Sequence, residues 1–222
     1  MKRSLLINQV SKKIQRMPST NPVRVAIDGV DASGKTFLAD EIAASLRRGN
    51  RQVIQASADG FHNPRSIRYK KDSLSPEGFY YGSYDYERLI KNLLEPLSPN
   101  GDRQFRTAVY DAVKDQPIDS LPLTAEEDAI LIMDGIFLLR PEIRPFWDLT
   151  LYLATDFANS VPRGIARDAE LIGSREEATR RYNKRYVPGQ RLYRQRANPL
   201  DKEDILIDNN ILEDPHVLRF PD

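Results

Sequence analysis

One run of residues has the types and spacing needed to hold phosphate groups: Gly29-Val-Asp-Ala-Ser-Gly-Lys35-Thr36. It matches the pattern G-x-x-x-x-G-K-[ST]. Glycines let backbone N–H groups curl around phosphate oxygens, and the N-terminus of a following helix adds partial positive charge. The lysine would neutralise the β- and γ-phosphates, and the threonine hydroxyl would ligate Mg²⁺. The residues predicted to bind a nucleoside triphosphate are Gly29, Asp31, Ala32, Ser33, Gly34, Lys35 and Thr36.

Two carboxylates follow apolar runs that read as strands. Asp59 comes after the run 52–56, and Asp134 ends the run 129–133. Ligands of doubly wound sheets bind at the carboxyl ends of the strands, so both side chains are expected beside the phosphate loop. Asp59 could accept the proton of an attacking hydroxyl or hold Mg²⁺, and we expect Asp134 to hold Mg²⁺ together with Thr36. Asp28, just before the loop, could orient the loop or a metal-bound water.

Arginines are concentrated in one stretch, which reads as helical: Arg163, Arg167, Arg175, Arg180, Arg181, Arg185, Arg191, Arg194 and Arg196. For most of them a solvated helix face is the simpler interpretation, because acidic residues are interspersed. Arg163 and Arg167 are four residues apart and should share one helical face. A lid that brings arginines onto a transferring phosphoryl group would stabilise its charge and exclude water. We therefore predict an arginine-rich lid over about residues 160–197.

The elements that must position these residues alternate between strands and helices. Apolar runs predict strands at 23–27, 52–56, 129–133, 149–154 and 205–207, with a short strand at 105–110. Helical patterns cover 4–16, 34–48, 84–94 and 156–197, and a loop or short hairpin is expected over 59–83. Alternation of this kind predicts an α/β P-loop NTPase fold, with a mostly parallel sheet flanked by helices. We see no break in composition, so residues 1–222 are expected to form a single domain.

Composition excludes several classes of protein. There are 33 Lys and Arg against 32 Asp and Glu, which argues against a nucleic-acid partner. The absence of cysteine removes thiolate metal sites and cysteine nucleophiles. No apolar run approaches the ~20 residues that span a bilayer, and the N-terminal apolar run is too short for a signal peptide. We expect a cytoplasmic protein that does not bind a membrane, and homo-oligomer formation stays open.

A phosphate loop does not by itself name the reaction. A GTPase would need an N-K-x-D segment, but the nearest string, Asn183-Lys-Arg-Tyr186, lacks the aspartate. Its D-x-x-G switch is also missing, since the one match, Asp31 to Gly34, lies inside the loop. The chain is short for a motor ATPase. A small-molecule kinase that uses ATP and Mg²⁺ is favoured, with a nucleotide-binding regulator as the alternative.

The order of these motifs resembles the uridine kinase and phosphoribulokinase family of P-loop kinases over about residues 23–210. The matching pieces are Gly29 to Thr36, Asp59-Gly-Phe-His62, Ala108 to Asp111, Asp134-Gly-Ile-Phe137, Arg163 to Asp168 and Glu203 to Asn209. The resemblance implies a five-stranded parallel core with a helical lid, and transfer of the ATP γ-phosphate to a substrate hydroxyl. It implies that Asp59 is the general base, that Asp134 replaces a magnesium-binding glutamate, that Arg167 contacts phosphate and that Tyr110 lines the substrate pocket.

The chain departs from this family where the family recognises its nucleoside. Asp115 stands at the place of a pocket histidine, Gly164 replaces a lid arginine next to Arg163, and Arg181 replaces a lid glutamine. Residues 78–82 stand where the family has a Phe-Asp-x-Pro segment. The side chains predicted to bind substrate are Asp59, His62, Tyr110 and Arg163. A nucleoside 5′-hydroxyl is thus the family-level expectation for the acceptor, with a sugar phosphate, glycerate or pantothenate as alternatives.

Overall fold

The computed structural model describes residues 2–18 and 20–221. The strands are β1 Val23–Gly29, β2 Val53–Ser57, β3 Gln104–Phe105, β4 Tyr110–Asp111, β5 Gln116–Pro117, β6 Leu123–Thr124, β7 Ile130–Asp134, β8 Leu149–Ala154, β9 Ile205–Asp208 and β10 His216–Arg219. The α-helices are α1 Arg3–Gln15, α2 Lys35–Leu46, α3 Arg65–Arg68, α4 Pro76–Gly82, α5 Tyr86–Leu89, α6 Phe157–Ile172, α7 Arg175–Arg181, α8 Val187–Ala197 and α9 Pro199–Lys202. Short 3₁₀ turns cover 58–61 and 144–146, and π-helical turns cover 90–94 and 182–186. Within the described ranges, no helix is long and apolar enough to cross a membrane.

The central sheet has six strands in the order β10-β9-β8-β1-β7-β2. The five strands from β9 to β2 pair in parallel, as predicted, and every residue of β1 and β7 is buried because helices cover both faces. The predicted count of five is corrected to six. The added strand, β10, pairs antiparallel with β9 at the sheet edge. Its mostly exposed His-Val-Leu-Arg sequence lacks the continuous apolar run by which the other strands were found.

Two apolar layers hold the sheet between helices. On one face, α1 and α2 bury aliphatic side chains such as Leu6, Ile14 and Ile42 against the sheet. On the other face, an aromatic group surrounds Phe137, which contacts the rings of Phe79, Tyr80, Tyr84 and Tyr193. Burial of rings of this size contributes several kcal/mol in total, so this aromatic layer holds the segment 76–86 firmly against the sheet.

The connections between the strands depart from the sequence prediction. The single strand expected at 105–110 is wrong, because Val109 N–H donates to the Gly60 carbonyl at 2.8 Å and turns the chain away. Phe105 and Tyr110 instead belong to separate two-residue pairings, with Leu123 and Pro117 respectively. The segment 59–83 contains a 3₁₀ turn and the helices α3 and α4 rather than a hairpin. The predicted helix 84–94 begins at Tyr86 and ends in a π-helical turn.

Helices α6 to α8 form the predicted arginine-rich layer. They run almost without interruption from 157 to 197, and the π-helical turn 182–186 joins α7 to α8. Gly164 of α6 lies directly under the ring of Tyr182, whose hydroxyl donates to Asp168 at 2.7 Å. A glycine is required at this point because any Cβ would overlap the tyrosine ring.

Replacing Gly164 by alanine therefore tests how these helices pack. Helix propensity alone would favour alanine by about 1 kcal/mol, but the overlap with the Tyr182 ring forces α6 and α7 apart. We expect a net loss of about 1–3 kcal/mol in the free energy of unfolding, measured by urea denaturation. The matched control is Gly82→Ala, since a Cβ there would meet its nearest atom, the Ile67 carbonyl oxygen, at 3.4 Å. Equal stability of the two variants would contradict the close contact.

Candidate active site

The phosphate loop lies between the end of β1 and the start of α2, as the motif predicts. Gly34 has φ +91° and Ala32 has φ +54°, so successive backbone amides turn toward a common centre. A Cβ at Gly34 would approach the Asn209 side-chain nitrogen to 2.9 Å, which leaves room only for glycine. Asn209 in turn donates to the Ser33 carbonyl at 2.6 Å. The loop is therefore held from outside by the residue that follows β9.

Lys35 is buried at the first position of α2, inside the curve of the loop. Its ammonium group donates to the Val30 carbonyl at 2.8 Å. Burial lowers the pKa of Lys35, while the nearby carboxylates, Asp31 and Asp28 foremost, oppose that shift. A phosphate bound in the loop would give this ammonium a charged acceptor in place of a neutral one.

The residues predicted to hold Mg²⁺ are in contact with each other. The Thr36 hydroxyl donates to the Asp134 carboxylate at 2.7 Å. Burial raises the pKa of Asp134, and this bond together with the charge of Lys35 works against the rise. Among the described residues, no group of three His, Asp or Glu side chains forms a dedicated metal cluster. One hydroxyl and one carboxylate fit Mg²⁺, which normally keeps several waters and shares phosphate oxygens.

Asp28 is fully buried beneath the loop and does not face the nucleotide. Its carboxylate accepts hydrogen bonds from the Gly29 amide at 2.6 Å, from the Leu139 amide at 3.1 Å and from the Tyr193 hydroxyl. Burial outweighs these bonds and raises its pKa to about 6. Of the two roles expected for Asp28, only the loop-orienting one agrees with this placement.

Asp59 and Asp134 share one edge of the sheet because of strand register. Asp134 pairs with Ile27 of β1 on one side and with Ser57 of β2 on the other, and Asp59 follows two residues beyond Ser57. The Asp59 side chain is 76% exposed to the cleft. Its Oδ1 accepts from the Tyr84 hydroxyl at 3.3 Å and lies 3.3 Å from His62 Nε2. Local burial acts to raise its pKa, but His62, Lys35 and Tyr84 outweigh burial and hold it below the usual range.

His62 is fixed at the wall of the cleft. Its Nδ1 lies 2.9 Å from the Ser83 carbonyl, and its ring stacks on Tyr84 at 4.6 Å. An imidazole that carries both protons would donate to Ser83 and Asp59 together. His62 therefore lies beside Asp59 and lines the cleft, and its predicted contact with substrate stays a prediction.

A cleft of about 770 Å³ joins five of the predicted site residues. Asp31, Asp59, His62, Tyr110 and Arg167 all line it. Tyr110 donates its hydroxyl to Asp115 at 2.9 Å, so the aspartate that stands in place of the family histidine is held against the predicted pocket tyrosine.

Arg167 reaches the cleft from α6 and Arg163 does not. The Arg167 guanidinium donates to Asp168 at 2.6 and 3.1 Å, and this bond keeps its pKa above the usual range. Its side chain is 60% exposed. Arg163, predicted to bind substrate, donates instead to the Asn210 carbonyl after β9. Arg163 does not line the cleft in this structure, and its predicted contact with substrate stays a prediction.

One further contact of the phosphate loop has no signal in the sequence. The Asp31 amide donates to the Gln190 side-chain oxygen at 2.7 Å, and the Gln190 amide group donates to the Asp31 carboxylate at 3.1 Å. Gln190 is buried in α8, 159 positions after Asp31 in the sequence. A single glutamine in a long helix has no distinguishing pattern, so only the folded chain reveals this connection.

The parallel sheet, the loop at the end of β1, the carboxylate at the tip of β7 and the helical layer over the cleft together define a P-loop kinase fold. No family model matches the chain. It is 26% identical over 161 residues to the uridine kinase of Brevibacillus brevis, a match that covers 69% of each protein. It is also 26% identical over 153 residues to the uridine kinase of Clostridium novyi, covering 68% of this chain and 71% of the relative.

Solved structures agree on the fold. One described as a possible uridine kinase from Bacillus stearothermophilus has a TM-score of 0.71 and 22% identity, covering 90% of this chain and 96% of that one. The D-glycerate 3-kinase of Cryptococcus neoformans has a TM-score of 0.64 and 11% identity, covering 96% and 99%. The predicted resemblance to uridine kinases and the predicted P-loop fold are therefore confirmed.

The raised pKa of Asp28 makes a prediction about stability and pH. Its folded value of about 6 lies above the reference value of 3.8, so the folded chain binds a proton that the unfolded chain has lost. The stability from this group is present below pH 4 and falls as the pH rises through 6. In Asp28→Asn this dependence disappears. The unfolding free energy of Asp28→Asn minus that of the parent should therefore rise by roughly 1 kcal/mol between pH 5 and pH 7.5. Identical pH profiles in urea denaturation would contradict the assignment.

Proposed function

We propose that this protein is a kinase that transfers the γ-phosphate of ATP to a hydroxyl group of a small molecule. The observation that carries the proposal is the exposed carboxylate of Asp59, which lines the same cleft as Arg167 and Asp31 of the phosphate loop. Similarity to uridine kinases over two thirds of the chain supports a kinase. By that similarity alone, the simplest acceptor is the 5′-hydroxyl of a nucleoside.

Each polar group of the cleft has a role in this reaction. Asp59 has a low pKa and is ionised at neutral pH, so it can accept the hydrogen bond and then the proton of the acceptor hydroxyl. The amides of the loop and Lys35 hold the triphosphate, and Arg167 turns from Asp168 toward the transferring group. Mg²⁺, held through Thr36 and Asp134, would neutralise charge on the β- and γ-phosphates when bound. Helices α6 to α8 close over the cleft and exclude water, which would otherwise compete as acceptor.

The variant Asp59→Asn tests the proton acceptor. The amide keeps the shape of the side chain but cannot take the proton, so phosphotransfer should fall by about 10²–10⁴-fold while ATP still binds. Turnover is measured by ADP release with the best acceptor, and ATP binding by calorimetry. The matched control is Asp119→Asn, an exposed aspartate outside the cleft, which should match the parent.

Two outcomes would count against these roles. Unchanged turnover in Asp59→Asn removes Asp59 from the reaction. The parent protein could also bind ATP without any hydroxylated compound raising ATP turnover above the rate with water alone. That outcome would identify a nucleotide-binding regulator and not a kinase.

The variant Asp134→Asn tests the proposed magnesium ligands. Loss of one anionic ligand should raise the Mg²⁺ concentration for half-maximal turnover by about tenfold or more, while saturating Mg²⁺ restores part of the rate. The measurement is a Mg²⁺ titration at fixed ATP. Asp204→Asn is the matched control, because that aspartate also sits beside a strand and accepts from a threonine hydroxyl, Thr150, but lies outside the cleft. An unshifted titration in Asp134→Asn would exclude it as a ligand.

A further inference from the structure

One wall of the cleft is built from arginine side chains. Helix α3 and the lid supply four of the residues that line it: Arg65, Arg68, Arg181 and Arg185. In the described part of the chain, none of the four forms a hydrogen bond or ion pair with the phosphate loop. We therefore assign them, with Tyr110, to the part of the cleft that would receive the acceptor.

Arg185 is buried without a carboxylate partner. Only 2% of the residue is exposed, and its guanidinium donates to the backbone carbonyls of Asp72, Ser73, Ser75 and Arg68 at 3.0–3.4 Å. It also lies over the rings of Tyr69 and Phe79, at 4.7 and 5.5 Å. Burial lowers the pKa of Arg185. Because neutral carbonyls and rings do not cancel its charge, this side of the cleft keeps a positive potential.

Arg68 has an unused hydrogen-bond donor at the same place. Its side chain is 13% exposed, and one terminal nitrogen lies 3.2 Å from the Ala112 carbonyl and 3.5 Å from Asp115. Its Nε is buried and has no partner. A buried donor without a partner is unfavourable, and a shift of the Arg68 side chain toward a bound anion would satisfy it. Planar guanidinium groups bind carboxylates and phosphates through two parallel N–H donors.

Two carboxylates near these arginines already accept hydrogen bonds from other groups. Asp111 accepts from the backbone amides of Val113 and Lys114, and Asp115 accepts from the Arg65 amide and the Tyr110 hydroxyl. Each of the two carboxylates is therefore tied to its own neighbours.

The remaining arginines differ in how free they are. Arg181 is bonded to Glu177, which lies outside the cleft lining. Arg65 is exposed, and across the described residues its guanidinium has no hydrogen-bond or ion-pair partner. Arg65 is thus the exposed donor that a ligand would meet first, and the less exposed Arg68 lines the same cleft.

We propose that the acceptor carries an anionic group, a phosphate or a carboxylate, that binds Arg65 and Arg68 and is attracted by the positive charge of Arg185. The hydroxyl group of the same acceptor reaches Asp59. This inference rests on the proposed kinase activity and narrows it. The substrate class is a phosphorylated or carboxylated alcohol, such as a sugar phosphate, a glycerate or a pantothenate. A neutral nucleoside would offer these arginines hydrogen-bond acceptors but no opposite charge.

Matched pairs of acceptors separate charge from shape. We would measure ATP turnover by the full chain with ribose and ribose 5-phosphate, glycerol and glycerate, and panthenol and pantothenate, with uridine alongside. The expected result is that the charged member of at least one pair exceeds its neutral counterpart and uridine by about tenfold or more in kcat/KM. If a neutral compound has the highest kcat/KM and no charged member exceeds it, the inference is overturned and the kinase proposal stays intact.

The variant Arg68→Gln locates the effect. It should raise the KM for the charged acceptor by about tenfold or more and leave the KM for its neutral counterpart unchanged. Arg68→Lys should restore part of the affinity, because the charge returns without the planar fork. Arg175→Gln, on an exposed part of α7 outside the cleft, is the matched control and should match the parent. An equal rise in KM for both members of a pair would show that Arg68 acts only through the fold, and would overturn its assignment.

Calorimetry separates failure of this inference from failure of the kinase proposal. The same pairs are titrated into the protein with Mg²⁺ and a non-hydrolysable ATP analogue present, so that the phosphate loop is filled. Selective binding of a charged member that Arg68→Gln weakens would support the anion site even without turnover. Absence of any difference between charged and neutral members in every pair would exclude it.

Discussion

The phosphate loop depends on one buried carboxylate. Asp28 accepts bonds from the first amide of the loop, from an amide beyond the tip of β7 and from a tyrosine of α8. These three donors come from three distant parts of the sequence, and the low polarity of the core makes each bond more costly to lose. Asp28 is buried because it bonds the loop, the sheet edge and the lid to one another, and this burial raises its pKa.

Strand register supplies the rest of the arrangement. Since β7 lies between β1 and β2, their parallel pairing places Asp134 between Ile27 and Ser57 without any contribution from the loops. Thr36 can then reach Asp134 from the start of α2, and Asp59 follows at the neighbouring strand end. Buried apolar strands therefore determine where the carboxylates lie, and the polar side chains refine the geometry.

This division explains what could be predicted from the sequence. The continuous apolar runs of β1, β7 and β8 and the spacing of the phosphate loop predicted the sheet and the nucleotide site, because both depend on local pattern. The split of 105–110 into two pairings was not predictable, since it follows from a contact with Gly60. Helical periodicity placed Arg163 and Arg167 on one face, but in the folded chain Arg163 donates to the Asn210 carbonyl and only Arg167 lines the cleft. Gln190, Tyr193 and the free donor of Arg68 are known only from the folded chain.

The connection through Gln190 has a thermodynamic consequence. Gln190 ties α8 to Asp31 in the phosphate loop, and Arg185, in the turn that leads into the same helix, ties that turn to the carbonyls of the segment 68–75. A change of position in α8 must therefore alter both ends of the cleft together. Linkage is reciprocal: if occupancy of the loop changes the affinity of the arginine wall by some factor, occupancy of that wall changes the affinity of the loop by the same factor. If the arginine wall binds a ligand as proposed, movement of α8 would couple its occupancy to that of the phosphate loop.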